Sequence, residues 1–309
     1  MVWTTEDIPD LTDRTAVVTG ANGGLGLETA RVLAQAGAHV VMAARNQDKA
    51  REAEADIRST VATANLQIVP LDLGSLASVR AAGQRIVERH NHIDILVNNA
   101  GLMAQPERRT EEGFEMQFGV NHLGHFAFTS YLMPGLLQAS SARVVTVTST
   151  AHHIGRAVDP GNPNLDGNYG PWKAYGQSKL ANFHFGLGLQ RLFQDAGVSA
   201  ASLIAHPGLS DTDLQARSVE ESGGALTKLF HGLAGMTGMS PSGGARPQLR
   251  AATDPGAEGG QFYGPLFMNN GPPVRRPILR RIGLDRAIDT LWEVSEQATG
   301  VTIEVPSPS

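Results

Sequence analysis

Tyr175 and Lys179 stand four residues apart in Tyr175-Gly176-Gln177-Ser178-Lys179, a spacing that puts both side chains on one face of a helix. A free phenol titrates near about 10, too high to trade protons easily at neutral pH, and a nearby ammonium favours its ionised form. The pair therefore suits general acid/base work on an oxygen atom. Such a spacing arises often by chance, so its meaning depends on what accompanies it. Ser149 follows the apolar run Arg143–Thr148, and strand ends are where an open α/β sheet places its ligands. Its hydroxyl is expected either to hold a substrate oxygen or to cap a turn. Asn121 lies within a helical stretch, Phe118-Gly119-Val120-Asn121-His122. Asn is unfavoured there and signals a polar contact, here the anchor of a water chain.

A second constellation precedes these residues. After a first apolar run comes Thr19-Gly20-Ala21-Asn22-Gly23-Gly24-Leu25-Gly26, followed at once by an amphipathic stretch. Glycines between a strand and a helix let the backbone approach a pyrophosphate, whose charge meets free N–H groups and the positive helix end. Gly20, Asn22, Gly24, Leu25 and Gly26 are the expected contacts of a dinucleotide. The next strand ends at Ala43-Ala44-Arg45 with no carboxylate for the adenosine ribose. Arg45, with Lys49 one helical turn on, suits a 2′-phosphate and favours NADP over NAD, unless both are simply solvated at a helix start. Asp72 and Leu73 are placed either to touch the adenine or, for Asp72, to cap the next helix.

The elements that must position these groups alternate short apolar runs with longer amphipathic ones. Strands are expected over Ala16–Thr19, His39–Met42, Gln67–Val69, Ile93–Val97, Arg143–Thr148 and Val198–Ile204. Helices are expected over Leu25–Gln35, Asp48–Thr60, Leu76–Arg89, Glu112–Leu137, Tyr175–Asp195 and Asp285–Thr299. That rhythm predicts a doubly wound α/β fold of the Rossmann type. It has one mostly parallel sheet of about seven strands and helices on both faces. The whole chain, 1–309, is read as one domain with an N-terminal extension (1–14) and a C-terminal extension (272–309). Residues 155–171 and 208–271 are rich in Gly, Pro and Asn and read as loops over a site. The second is the substrate loop or lid, with 223–239 its apolar part.

Composition narrows the function classes. The chain has 309 residues, 41% of them hydrophobic and 18% charged, a net charge of −5 and no cysteine. Disulfides and thiolate chemistry are excluded, and no basic stripe offers a nucleic-acid footprint. No stretch reaches the roughly 20 apolar residues of a membrane span. Met1–Thr15 resembles no signal peptide, so a cytoplasmic protein is expected. His122 and His125, with His152-His153, lack a spaced third ligand, so no metal site is expected. The stretch 272–281 is basic and apolar, and reads as solvated surface or a subunit contact of a homo-oligomer.

Taken in order, Thr19–Gly26, Asn98-Asn99-Ala100-Gly101, Asn121, Ser149, Tyr175–Lys179 and Pro207-Gly208 resemble the motifs of the short-chain dehydrogenase/reductase family. The resemblance implies Tyr175 as general acid/base and Lys179 lowering its pKa and holding the nicotinamide ribose. It also implies Ser149 positioning the substrate oxygen and Asn121 supporting a proton relay. Asn99, Ala100 and Gly101 would lie beside the cofactor at mid-sheet, and Pro207, Gly208 and Thr212 along the nicotinamide. Val120–Phe126, Ser178–Asn182 and Leu291–Glu296 are similar to the retinol-dehydrogenase-like branch, which includes relatives of protochlorophyllide reductase. Members acting on membrane retinoids often carry an apolar N-terminal anchor, and Met1–Thr15 is not one, so a substrate other than retinol is expected. The implied activity is NADP-dependent hydride transfer with a small hydrophobic alcohol or carbonyl. The alternatives are an epimerase or dehydratase on the same cofactor, or a non-catalytic NADP sensor.

Overall fold

The computed structural model describes residues 2–209, 239–279 and 282–306. Eight strands form one sheet in the order β3-β2-β1-β4-β5-β6-β7-β8. They are β1 (Thr15–Thr19), β2 (His39–Ala44), β3 (Asn65–Pro70), β4 (Ile95–Asn98), β5 (Arg143–Val147), β6 (Ala201–Ala205), β7 (Phe262–Pro265) and β8 (Pro273–Arg276). The first seven run parallel, and β8 returns antiparallel on β7. The central strands are Val- and Ile-rich and buried throughout, as strands covered on both faces must be.

Helices α1 (Gly24–Gln35), α2 (Gln47–Thr60) and α6 (Pro241–Thr253) cover one face, bringing Leu33, Ile57 and Leu249 onto Val18, Val40 and Val145. Helices α3 (Leu76–Val87), α4 (Gly124–Gln138), α5 (Pro171–Ala196) and α7 (Leu284–Thr299) serve the other. There Ile86, Phe126, Phe185 and Leu291 meet Val17, Leu96 and Val144. Chain order reverses between β1 and β4, so the C-terminal ends of these two strands open a crevice. Such a switch point is where a doubly wound sheet binds its ligand.

Several sequence expectations need correction. Residues 208–271 are not one loop: 241–253 form α6 and 262–265 form β7. The helix was masked by its opening, Pro241-Ser242-Gly243-Gly244, which reads as a turn. In the fold Pro241 takes the first helical turn, where its missing N–H is harmless, and Ser240 caps Gly243 N. The apolar part of the expected lid, up to residue 238, lies outside the described residues, and so does Thr212. Within 272–281 the structure adds an eighth strand, Pro273–Arg276, at the edge of the sheet, where Arg275 remains exposed. Residues 112–115, expected to be helical, form a turn and a bridge between Arg109 and Glu115. The N-terminal segment docks through Trp3 and Leu11, both buried against the first helical layer.

Candidate active site

The glycine loop joins β1 to α1 at the mouth of the crevice. A methyl group at Gly26 would sit 2.2 Å from the Gly20 carbonyl and 2.6 Å from Asn99 Nδ2, so only glycine lets the helix start this close to the strand. Gly23 precedes α1 without any side-chain cap, and the first turn of α1 holds no acidic residue. The free N–H groups and the positive helix end therefore face the crevice unneutralised, as an anionic ligand requires. Thr19, the last residue of β1, fixes the opposite wall. Its hydroxyl accepts from Asn99 N at 2.9 Å and Ala100 N at 3.0 Å, while Asn99 Nδ2 donates to Thr19 O at 2.8 Å.

Asn121 sits in a π-helical segment, Gly119–Leu123, just before α4. Such a bulge inside a helix often marks a functional site. Its buried amide acts as a clamp. Oδ1 accepts from Leu102 N at 2.7 Å, while Nδ2 donates to Leu102 O and to Ser178 Oγ, each at 2.9 Å. Asn121 thus ties the segment following Gly101 to α5. Ser149 leaves the end of β5 and caps a short turn, Thr150–His153, accepting from Ala151 N at 3.2 Å. Its hydroxyl also neighbours the Tyr175 phenol, so the capping role expected of Ser149 is met in the company of Tyr175. Thr148 is fastened as well, its hydroxyl donating to Lys179 O at 2.6 Å.

Tyr175 and Lys179 lie in the second and third turns of α5 rather than at its start, because the helix begins at Pro171. Both are buried. Lys179 Nζ stands 5.9 Å from the centre of the Tyr175 ring. Among the described residues its one hydrogen bond is to Val147 O, at 3.4 Å. An ammonium carries three donors, so the crevice offers the rest to whatever enters it.

The profile of the short chain dehydrogenase family matches residues 14–223. The chain belongs to that family. It is 39% identical to polyprenol dehydrogenase of Mus musculus, over 82% of this chain and 75% of that protein. It is 42% identical to human retinol dehydrogenase 13, over 65% of this chain and 60% of that protein. A crystal structure of an uncharacterized protein from Mycobacterium paratuberculosis superposes with a TM-score of 0.77 at 38% identity, covering 99% of this chain and 100% of the other. The chain is a short-chain dehydrogenase of the retinol-dehydrogenase-like branch, an NAD(P)-dependent oxidoreductase acting on the alcohol/carbonyl couple. No helix among the described residues is long and apolar enough to cross a membrane.

In this short-chain dehydrogenase the electrostatics of the pair differ from the sequence expectation. Burial pushes the Tyr175 phenol up to about 12, against a smaller lowering by the neighbouring Ser149 hydroxyl. Burial also pulls Lys179 down to about 8. Spacing on a helix predicts mutual reach but cannot register that both groups leave water, and desolvation outweighs one ammonium about 6 Å from the ring.

The remaining expected residues divide. Arg45 is exposed and pairs with Asp72 at 3.8 Å, so the residues that follow β2 and β3 meet there. Asp72 in addition accepts from Gly74 N at 2.9 Å in the turn before α3, but Ser75 rather than Asp72 caps that helix, and Asn46 rather than Lys49 organises the start of α2. Pro207 and Gly208 leave the end of β6, where Leu209 N donates to Asn269 O of the β7–β8 turn at 2.9 Å. The loop 155–171 is tied down: Asn164 Oδ1 accepts from Glu115 N, and Tyr169 donates to Gln105 O at 2.6 Å. A surface groove of about 700 Å³ beside Gln190, Arg191 and Arg275 shares no residue with the crevice.

Three positioning groups escaped the sequence reading. Gly176 and Gly155 touch where the Ser149 turn crosses α5, and a methyl at Gly155 would fall 2.2 Å from Gly176 O. A glycine inside a helix costs up to about 1 kcal/mol relative to alanine, so Gly176 within the Tyr-Lys motif was the signal of such a close approach. His125 carried a signal too, as a polar residue amid Phe126, Ala127 and Phe128. His122 bonds Ser295 Oγ at 2.7 Å and His125 bonds Thr19 Oγ1 at 2.8 Å.

Proposed function

We propose that this dehydrogenase uses NADP, that its 309 residues act as one domain, and that Tyr175 is the general acid/base for a hydrophobic alcohol or carbonyl substrate. The observation that carries the reading is the buried Lys179 ammonium, with one long hydrogen bond among the described residues, beside a buried phenol that neighbours Ser149. A buried cation with one long bond is costly unless a further partner completes it. The ribose hydroxyls of a dinucleotide are neutral acceptors suited to that place.

The residues present fit a dinucleotide. Gly20, Asn22, Gly24, Leu25 and Gly26 would receive the pyrophosphate, Asp72 and Leu73 the adenine, and Asn99, Ala100 and Gly101 the central span. Tyr175 and Lys179 would meet the ribose, with Pro207 and Gly208 along the nicotinamide. Arg45 and Lys49 would meet a 2′-phosphate, since β2 ends without a carboxylate. When bound, the dinucleotide supplies or takes up the hydride. Ser149 and Tyr175 then grip the substrate oxygen through two hydroxyls. In reduction Tyr175 donates the proton, and its raised pKa keeps the phenol loaded at neutral pH. Asn121 holds α5 in register with the crevice wall through Ser178 and Leu102. Exposed Ile154, five residues beyond Ser149, and exposed Phe267 in the β7–β8 turn favour an apolar substrate. So do relatives named for polyprenol and retinol.

The test is Tyr175→Phe assayed with NADPH against a panel of aldehydes, ketones and retinoids. Turnover is expected to fall by about 10²–10⁴ with NADPH binding kept, whereas parental turnover would remove Tyr175 from the chemistry. Arg45→Ala is expected to raise the Km for NADPH at least about tenfold and leave that for NADH unchanged. A parent enzyme that prefers NADH would refute the NADP assignment.

A further inference from the structure

His125 is buried in the first turn of α4, in a sequence otherwise built for packing, and hydrogen-bonds two elements at once. Its Nδ1 lies 2.9 Å from Asn121 O, and its Nε2 lies 2.8 Å from Thr19 Oγ1. A carbonyl only accepts, so Nδ1 carries the proton and Nε2 is bare. The bare nitrogen can only accept, and the Thr19 O–H is its donor at 2.8 Å. That direction leaves the Thr19 oxygen free to accept from Asn99 N and Ala100 N, as it does. The neutral Nδ1–H ring gives the Thr19 hydroxyl its shorter acceptor, Nε2 at 2.8 Å against Val97 O at 3.4 Å, and burial, pulling His125 down to about 4, keeps the ring neutral.

The consequence is a continuous run of hydrogen bonds. It starts at Thr19, which pins the turn Asn99-Ala100 beside the glycine loop. It passes through the rigid imidazole to the Asn121 carbonyl, then through the Asn121 amide to Ser178 Oγ, which donates to Tyr175 O at 2.9 Å. The two ring nitrogens fix the separation of Thr19 and Asn121, and no single amide side chain at 125 can serve both. We propose that His125 is a positioning residue that couples the seat of the cofactor to the setting of the acid/base helix. The proposal rests on the assignment of Tyr175 and the dinucleotide made above, and it concerns a residue outside the expected set.

The experiment separates the two arms. His125→Asn keeps a donor near the Nδ1 position and loses the reach to Thr19. His125→Gln reaches Thr19 and leaves the Asn121 carbonyl unbonded. NADPH affinity is read by fluorescence without substrate, and kcat separately at saturating NADPH. His125→Asn is expected to weaken NADPH about tenfold with kcat nearly parental, and His125→Gln to lower kcat about tenfold with affinity nearly parental. In a double-mutant cycle Thr19→Val should be strongly non-additive with His125→Asn on affinity, and Thr19→Ser should restore it. If both amide variants lose thermal stability alone, with affinity and kcat at parental values, His125 is merely structural and the proposal fails. The same holds if both move the same parameter equally. A parent protein that binds no NADPH would instead refute the cofactor assignment and leave the His125 geometry standing.

Discussion

Lys179 Nζ lies 5.9 Å from the centre of the Tyr175 ring and, among the described residues, makes one hydrogen bond, 3.4 Å long, to Val147 O. A buried ammonium in that state is a strain on the fold. Its pKa, lowered from 10.5 to about 8 by burial, corresponds to about 3 kcal/mol against the charged form. The cost is present below pH 8 and is relieved as pH rises from there towards 10.5, because the unfolded chain then holds the proton that the folded chain has lost. Lys179→Met removes the cost while keeping the apolar stem. The variant should melt roughly 2–5 °C higher at neutral pH and lose turnover by at least about 10². Calorimetry beside an NADPH oxidation assay checks it, and a lower melting temperature would show the ammonium to be stabilising.

The same group sets an alkaline limit on reduction. The profile of kcat/Km reports the free enzyme, and in the free enzyme Lys179 loses its charge above about 8 while Tyr175, pushed up to about 12, remains a phenol. The expected profile for reduction with NADPH therefore falls above pH 8 with a slope of one proton. A profile flat to pH 10 would mean that the Lys179 charge is irrelevant to catalysis.

Much of this site was legible in the sequence because its signals are local. A glycine cluster between strand and helix, Tyr and Lys one helical turn apart, and Ser at a strand end each need only a few neighbouring residues to be read. The crossover rhythm likewise gives the parallel sheet, since every buried strand is apolar on both faces. What stayed hidden depends on distant partners. Thr19 and His125 are 106 residues apart, and His122 meets Ser295 across 173. The desolvation that reverses the expected direction of the Tyr175 pKa is likewise a property of the assembled crevice. The helix at 241–253 was missed for the opposite reason. Its local signals, Pro and paired glycines, are turn signals that only packing against the sheet overrides.

The buried histidines predict sensitivity to acid. His122 and His206 are pulled down to about 3 and His125 to about 4, each mainly by burial. The stability they confer by remaining neutral is complete above the unfolded value of 6.5 and is lost as pH falls towards 4. In that interval the unfolded chain binds protons that the folded chain refuses. With three such groups the slope approaches roughly 4 kcal/mol per pH unit near pH 5. Urea midpoints measured between pH 7 and 5 should fall steeply. His206→Asn should flatten the decline by about one proton, and an unchanged slope in that variant would show that His206 titrates normally.

The contact of Gly155 with Gly176 predicts a catalytic defect from a residue that touches no reactant. The turn that begins at Ser149 crosses α5 here, and a methyl at Gly155 would lie 2.2 Å from Gly176 O and 2.9 Å from Leu180 Cβ. Neither backbone nor a buried leucine yields easily, so the turn must lift from the helix and carry Ser149 away from Tyr175. Gly155→Ala should cost at least about 1–3 kcal/mol of stability by overpacking. It should lower kcat by at least about tenfold, because a displaced hydroxyl no longer shares the substrate oxygen. NADPH affinity should be unchanged, since the glycine loop lies on β1 and α1, which this turn does not touch. The decisive comparison is Gly155→Ala against Ser149→Ala. If displacement of Ser149 is the mechanism, the double variant should be no slower than Ser149→Ala alone. Additive losses in kcat would show that Gly155 acts by another route.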